Sequence, residues 1–218
     1  MLRETVSLRF RDLLKSAPRR VSLLPHEVMY REGESAPTIL FLESGLIKLT
    51  RKLASNRDAL VRFAFPGEFF GERSLLAVDG HRAFTAQASD YSEVSEFPRD
   101  AFLSQCQHDK ELWAWYLEMS AKRLEDTERR LHQISFLRVE NRILHALSDL
   151  ATALSNSGGP RSEITIPVSQ GELADLVGAT RETTSAALNS LARRGLLQLG
   201  RRLVTVPSSK VLKAAADK

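Results

Sequence analysis

The chain has 218 residues, a formal net charge of +4 and 43% hydrophobic residues, enough for one large domain or two ordinary ones with a sizeable core. Its one cysteine, Cys106, excludes an internal disulfide framework and a four-cysteine iron–sulfur cluster held by a single chain, and reads as a small buried side chain. No apolar run approaches membrane-spanning length and the opening Met1-Leu-Arg-Glu-Thr-Val6 lacks signal-peptide features, so the expected compartment is a reduced cytoplasm.

Residues 2–17 predict a short amphipathic helix with Phe10, Leu13 and Leu14 apolar, closed by Pro18. From Val21 to about Phe97 the pattern changes to short apolar runs such as Glu27–Tyr30, Thr38–Leu42, Leu46–Leu49, Ala59–Phe63 and Val94–Phe97. Gly33, Gly45, Gly67, Gly71 and Gly80 punctuate them, and many short strands at this spacing predict a sandwich or barrel.

Asp100–Phe136 then turns helical. A heptad seam runs through Trp113, Leu117, Ser120, Leu124, Thr127, Leu131 and Ile134. Its Leu117, Leu124, Leu131 ladder has the register of a two-stranded coiled coil. Charged residues fill most other positions, which favours a seam with a second chain over a helix packed only on its own barrel. Ser120 and Thr127 interrupt the seam and imply another use for their hydroxyls. A second helix, Leu137 to about Leu154, shows Val139, Ile143, Leu147 and Leu150 on one face, and the junction at Phe136-Leu137-Arg138 is the expected hinge. Ser155–Pro160 reads as a flexible turn inside the second domain and Glu163–Pro167 as a strand.

Val168–Gly195 carries a helix-turn-helix pattern. Ser169 and Glu172 form a capping box for a first helix whose apolar face holds Leu173, Leu176 and Val177. Gly178 supplies the left-handed turn, and Thr180 caps a second helix with Thr184, Ala187, Leu188 and Leu191 inward. Arg181, Glu182, Ser185, Ala186 and Asn189 lie on the other face. Arg and Asn suit purine edges in the major groove, and Glu can accept from cytosine N4. Leu196–Val206 reads as a hairpin with Arg201 and Arg202 at its tip, placed for phosphate. Residues 1–136 hold 20 basic and 20 acidic side chains, whereas 137–218 hold 11 and 7, so the whole positive excess lies with this motif.

Three motifs in this order give the chain a resemblance to the CRP/FNR family of bacterial transcription regulators. His26–Leu49 looks like the family's opening strands, Phe65–Leu76 through His81-Arg82 like its phosphate-binding cassette, and Leu173–Leu191 like its helix-turn-helix. The resemblance implies an α+β chain: an N-terminal jelly-roll (double-stranded β-helix) β-roll over residues 1–110, a dimerisation helix over 111–136, and a winged helix-turn-helix over 137–218. The dimerisation residues are then Trp113, Leu117, Leu124, Thr127, Leu131 and Ile134.

The resemblance further implies an effector site at Gly71, Glu72, Arg82, Ala83, Arg123 and Thr127. In cyclic-nucleotide-binding members the Glu accepts from the ribose 2′-hydroxyl, and the Arg pairs with the cyclic phosphate. Cyclic AMP or another cyclic nucleotide is therefore the expected effector. Two departures stand out: Ala83 replaces the usual serine, and Glu128 replaces a small polar residue. A family barrel can instead keep Glu72 and Arg82 as an internal ion pair, with another effector or none. No metal-ligand cluster is visible and no metal is expected. On the DNA side, Arg181 and Glu182 match base-reading positions, whereas Ala186 stands where relatives usually carry a second base-reading arginine. Ser169, Gln170 and Thr183 read as phosphate contacts. The implied partners are a palindromic double-stranded DNA site, a second copy of the chain and, for an activator, RNA polymerase. A ligand-sensing module acting through a protein partner is the competing class. No nucleophile–base pair or nucleotide-hydrolysing loop suggests an enzyme.

Overall fold

The structure is a computed structural model and describes residues 19–75, 80–158 and 163–216. The helix expected over 2–17 lies outside the described residues. The chain forms two compact units, Met1–Asp58 with Arg62–Asp126, and Ala59–Val61 with Thr127–Lys218.

The first unit is built on two four-stranded antiparallel sheets. One has the order β1 (Arg19–Leu23), β8 (Ser92–Pro98), β3 (Thr38–Ser44), β6 (Phe69–Phe70). The other has the order β2 (Val28–Tyr30), β7 (Thr85–Ala88), β4 (Ile47–Lys52), β5 (Asp58–Ala64). Strand β3 is buried on both faces. Leu40 and Leu42 enter a core with Ile47, Leu49, Ala86, Ala88 and Val94. Ile39 and Phe41 enter a second core with Phe69, Phe97, Phe102 and Tyr116. Double burial explains why Thr38–Leu42 reads as a continuous apolar run rather than an alternating one.

The second core is closed by helices α1 (Arg99–His108) and α2 (Lys110–Phe136), which contribute Phe102, Cys106, Leu112 and Tyr116. The single helical stretch expected from Asp100 to Phe136 is thus divided in two. Asp109 makes the break: its Oδ1 accepts from the backbone N–H groups of Glu111 and Leu112 at 3.0 and 3.1 Å, capping a new helix start.

In the second unit α3 (Val139–Gly158) follows the end of α2 and begins just past the expected hinge at Phe136-Leu137-Arg138. Ile143, Leu144 and Leu147 are fully buried along it. The turn expected from Ser155 starts later, because α3 continues to Gly158. The hydroxyls of Thr152 and Ser155 donate to the carbonyls of Ser148 and Ala151, each at 2.8 Å, so these polar residues are accommodated within helical backbone. Strand β9 (Ile164–Ile166) joins β10 (Gln198–Gly200) and β11 (Leu203–Val206) in the order β10-β11-β9. Helices α4 (Gln170–Val177) and α5 (Arg181–Arg193) lie between β9 and β10 in the chain. A closing helix α6 (Ser209–Ala216), which the sequence reading does not include, buries Leu212 and Ala216. Jelly-roll-like sheets, a long helix and a winged helix-turn-helix follow in the predicted order.

Candidate effector site and nucleic-acid interface

The first site gathers charged side chains inside the first unit. Gly71 ends β6 with φ +75°, and a short 3-10 turn, Glu72–Leu75, starts there. The left-handed backbone of Gly71 favours glycine, and a Cβ there would push against the Arg82 guanidinium. The Arg82 backbone is pinned by paired hydrogen bonds: its N–H donates to Glu34 O at 2.8 Å, and its carbonyl accepts from Gly33 N–H at 2.9 Å.

Arg82 is 5% exposed and forms no ion pair among the described residues. Its Nη2 donates to Thr38 Oγ1 at 2.9 Å, and its guanidinium lies 4.3 Å from the centre of the Tyr30 ring. Its Nε and Nη1 are buried with no hydrogen-bond partner among the described residues. Burial lowers its proton affinity below the ordinary arginine range, and Tyr30 and nearby glutamates partly oppose this.

Glu72 is also buried, but it does not pair with Arg82. It forms an ion pair with Arg123 of α2, and Arg62 Nη2 of β5 stands 4.0 Å from its carboxylate. Arg123 also donates to the Phe69 carbonyl. The internal Glu72–Arg82 pair that the sequence leaves open is therefore replaced by a Glu72–Arg123 pair, and Arg82 has no ion pair among the described residues. Burial pushes the Tyr30 phenol well above its usual range, while Arg82, Arg62 and Arg123 pull it down and Glu72 raises it. All four charged groups are thus gathered around one phenol. Ala83 is half-buried, and Thr127 is exposed one helical turn beyond Arg123. Tyr30, Thr38 and Arg62 are the members that motif spacing does not reveal, because they come from three different strands. Among the described residues, no group of three or more His, Cys, Asp or Glu side chains is placed to hold a metal ion.

The second site is the helix-turn-helix. The Ser169 hydroxyl accepts from Glu172 N–H at 3.2 Å, and the Glu172 carboxylate accepts from Ser169 N–H at 2.8 Å, completing the capping box. Gly178 ends α4 at φ +62°. Arg142 Nη1 donates to the carbonyls of Val177 and Gly178 at 2.7 and 3.2 Å, placing a cation at the carbonyl end of α4. A Cβ on Gly178 would stand 3.1 Å from Ile134 Cδ1, so the last seam residue lies against this turn. Thr180 caps α5 by accepting from Thr183 N–H at 3.2 Å, and the two hydroxyls are 3.0 Å apart.

On α5, Thr184, Ala187, Leu188 and Leu191 are buried. Arg181, Glu182, Thr183, Ala186 and Asn189 are exposed and Ser185 is half-buried, so the base-reading candidates share the open face. Gln170 is half-buried in the first turn of α4. Arg201 and Arg202 form the two-residue tip between β10 and β11, with Arg202 at φ +58° and its Nη2 3.6 Å from Glu172. On α2, Leu117, Leu124 and Leu131 are 51%, 60% and 65% exposed, and Trp113 and Ile134 are also exposed. Ser120 lies on the same ladder, and its hydroxyl donates to the Tyr116 carbonyl at 2.9 Å.

Comparison with known proteins agrees with this division. A cyclic nucleotide-binding domain matches residues 20–109 and a Crp-like helix-turn-helix domain matches residues 141–215. The CRP-like cAMP-activated global transcriptional regulator of Mycobacterium tuberculosis is 30% identical over 184 residues, 84% of this chain and 82% of its own. A CRP-family transcriptional regulator from Thermus thermophilus superposes with a TM-score of 0.74 at 26% identity, covering 91% of this chain and 97% of its own. The c-di-GMP-responsive global regulator CLP of Xanthomonas campestris gives 0.72 at 26% identity, covering 90% and 97%. A β-roll joined to a winged helix-turn-helix defines a transcription regulator rather than an enzyme. The chain belongs to the CRP/FNR family. Among the described residues, no helix is long and apolar enough to cross a membrane.

Proposed function

We propose that the chain is a cytoplasmic, homodimeric regulator that binds palindromic DNA in response to a cyclic nucleotide. The observation that carries the effector reading is Arg82. A buried guanidinium with two unpartnered nitrogens and no carboxylate partner is costly in the free protein, and an anion would relieve it. The fit is specific to the neighbourhood. Arg82 would hold a cyclic phosphate, Glu72 would accept from the ribose hydroxyl, and Gly71 leaves the space in which Arg82 sits. Ala83 offers no hydroxyl to the phosphate. Arg123 positions the Glu72 carboxylate, and Thr127, one turn further on, is a candidate for the base. Relatives described as cAMP-activated or c-di-GMP-responsive support a cyclic nucleotide as the ligand class.

On the output side, Arg181, Glu182, Ser185 and Asn189 read base edges, while Ser169, Gln170, Thr183, Arg201 and Arg202 contact phosphates. Residues 1–110 sense, 111–136 pair two chains through Trp113, Leu117, Leu124, Thr127, Leu131 and Ile134, and 137–218 bind DNA. Effector occupancy shifts the population towards an orientation in which both recognition helices meet successive major grooves, so half-sites fall about one helical turn apart. Ala186 leaves one base pair of the half-site less tightly specified. As an activator the dimer would also meet RNA polymerase.

Calorimetry with cyclic nucleotides tests the sensor. Binding is expected in the parent protein and lost in Arg82→Ala, and binding that survives this change would remove Arg82 from the phosphate site. Selection from random-sequence DNA tests the output. Failure to enrich any sequence with any of the nucleotides added would favour action through a protein partner.

A further inference from the structure

Arg62 is a third arginine in the effector site that the family motif does not call for. It lies on β5, and its side chain is 21% exposed. One end of its guanidinium is used: Nη1 donates to Phe63 O at 3.0 Å and to Glu68 Oε2 at 3.4 Å. The other edge is not. Nη2 is 4.0 Å from Glu72, too far for a hydrogen bond, and Nε has no hydrogen-bond partner among the described residues. The ion pair of Arg62 with Glu68 runs through Nη1, and Arg123 is the closer partner of Glu72, so neither carboxylate takes a hydrogen bond from the Nε–Nη2 edge. Burial and the repulsion of Arg123 lower the proton affinity of Arg62, while Glu72, Glu68 and Tyr30 raise it.

We propose that Arg62 reads the base of the effector and selects guanine over adenine. The inference rests on the cyclic-nucleotide reading of this site. If Glu72 takes the ribose, its neighbour Arg62 is within reach of what the ribose carries. Arg82 pairs with neither Glu72 nor Arg62 among the described residues and is left to the phosphate. The Nε–Nη2 edge of an arginine presents two parallel donors. Guanine presents two adjacent acceptors, O6 and N7, which match that fork. Adenine keeps N7 but places an amino donor at the O6 position, so that a donor faces a donor. Both cyclic GMP and cyclic di-GMP carry this edge.

The test is calorimetry on the full chain with two matched pairs of ligands, cyclic GMP against cyclic AMP and cyclic di-GMP against cyclic di-AMP. In at least one pair the guanine member is expected to bind about fivefold to a hundredfold more tightly, the discrimination of one bidentate contact. Which pair shows it identifies the source. The Arg62→Lys variant keeps the charge beside Glu72 and loses the fork, so the ratio should fall to near one while its melting curve stays close to that of the parent. A lysine variant that weakens both members equally and keeps their ratio would make Arg62 structural only, and the inference would fail. Equal or tighter adenine binding in both pairs, abolished by Arg82→Ala, would overturn the guanine assignment and leave the cyclic-nucleotide site standing. If none of the four ligands binds the parent chain, the cyclic-nucleotide reading itself falls, and the inference with it.

Discussion

Arg202 sits at the wing tip with φ +58°, a conformation that costs a non-glycine residue about 1–2 kcal/mol. Its ion pair with Glu172 is long at 3.6 Å, with the arginine exposed, and offsets little of that. Glycine would suit the backbone better, and the proposed phosphate contact gives a reason for the charge. Arg202→Gly is expected to raise the melting temperature by a few degrees while weakening DNA binding and shallowing its salt dependence. Thermal melts and gel-shifts at two salt concentrations check both directions. Cys106 behaves in the opposite way, as a packing residue without exposed chemistry. Burial among Phe102 and Tyr116 and the nearby Asp109 push its thiol from 9.0 to about 11. An unfolded thiol ionises first. A raised thiol value means the folded chain gains nothing below pH 9 from this group and is progressively disfavoured as pH rises from 9 towards 11, where the unfolded chain releases its proton more readily. A thiol reagent at pH 8 should label Cys106 only after denaturation.

Between strands and helices, legibility depends on how local each signal is. The capping box, the Gly178 turn and the α5 stripe are set by neighbours three or four residues apart, and spacing alone locates them. The split at Asp109 is hidden because helical periodicity runs on through it, and only the carboxylate's bonds to Glu111 and Leu112 reveal the new start. Glu72, Arg82 and Arg123 are legible through the family resemblance, but the residues around Arg82 and the second arginine beside Glu72 are not. Thr38, Tyr30 and Arg62 come from β3, β2 and β5, no two of which are neighbours in a sheet, so only the tertiary packing brings them to one site. The reciprocal bonds of Ser169 and Glu172 give a prediction at this scale. Ser169→Ala should cost about 1 kcal/mol. Adding Glu172→Ala should cost less than the sum of the single changes, because the two share one motif. Urea unfolding of the three variants checks the cycle.

For the whole molecule, the Leu117, Leu124, Leu131 ladder matters most. These side chains stay more than half exposed in the single chain, while Leu112 and Tyr116 on the same helix are buried. Under the proposed pairing, Leu124→Asp should yield a monomer in sedimentation and lower affinity for a palindromic site by at least about tenfold, because two half-sites are no longer engaged together. The proposed nucleotide site in the first unit should keep its Arg82-dependent binding. A further consequence follows from mass action. An interface that is filled only by a second copy ties folding free energy to protein concentration, so the melting temperature should climb as the chain is made more concentrated. In a cell, the amount of the chain would then be a second input beside the effector: a scarce regulator would stay silent even when its ligand is plentiful.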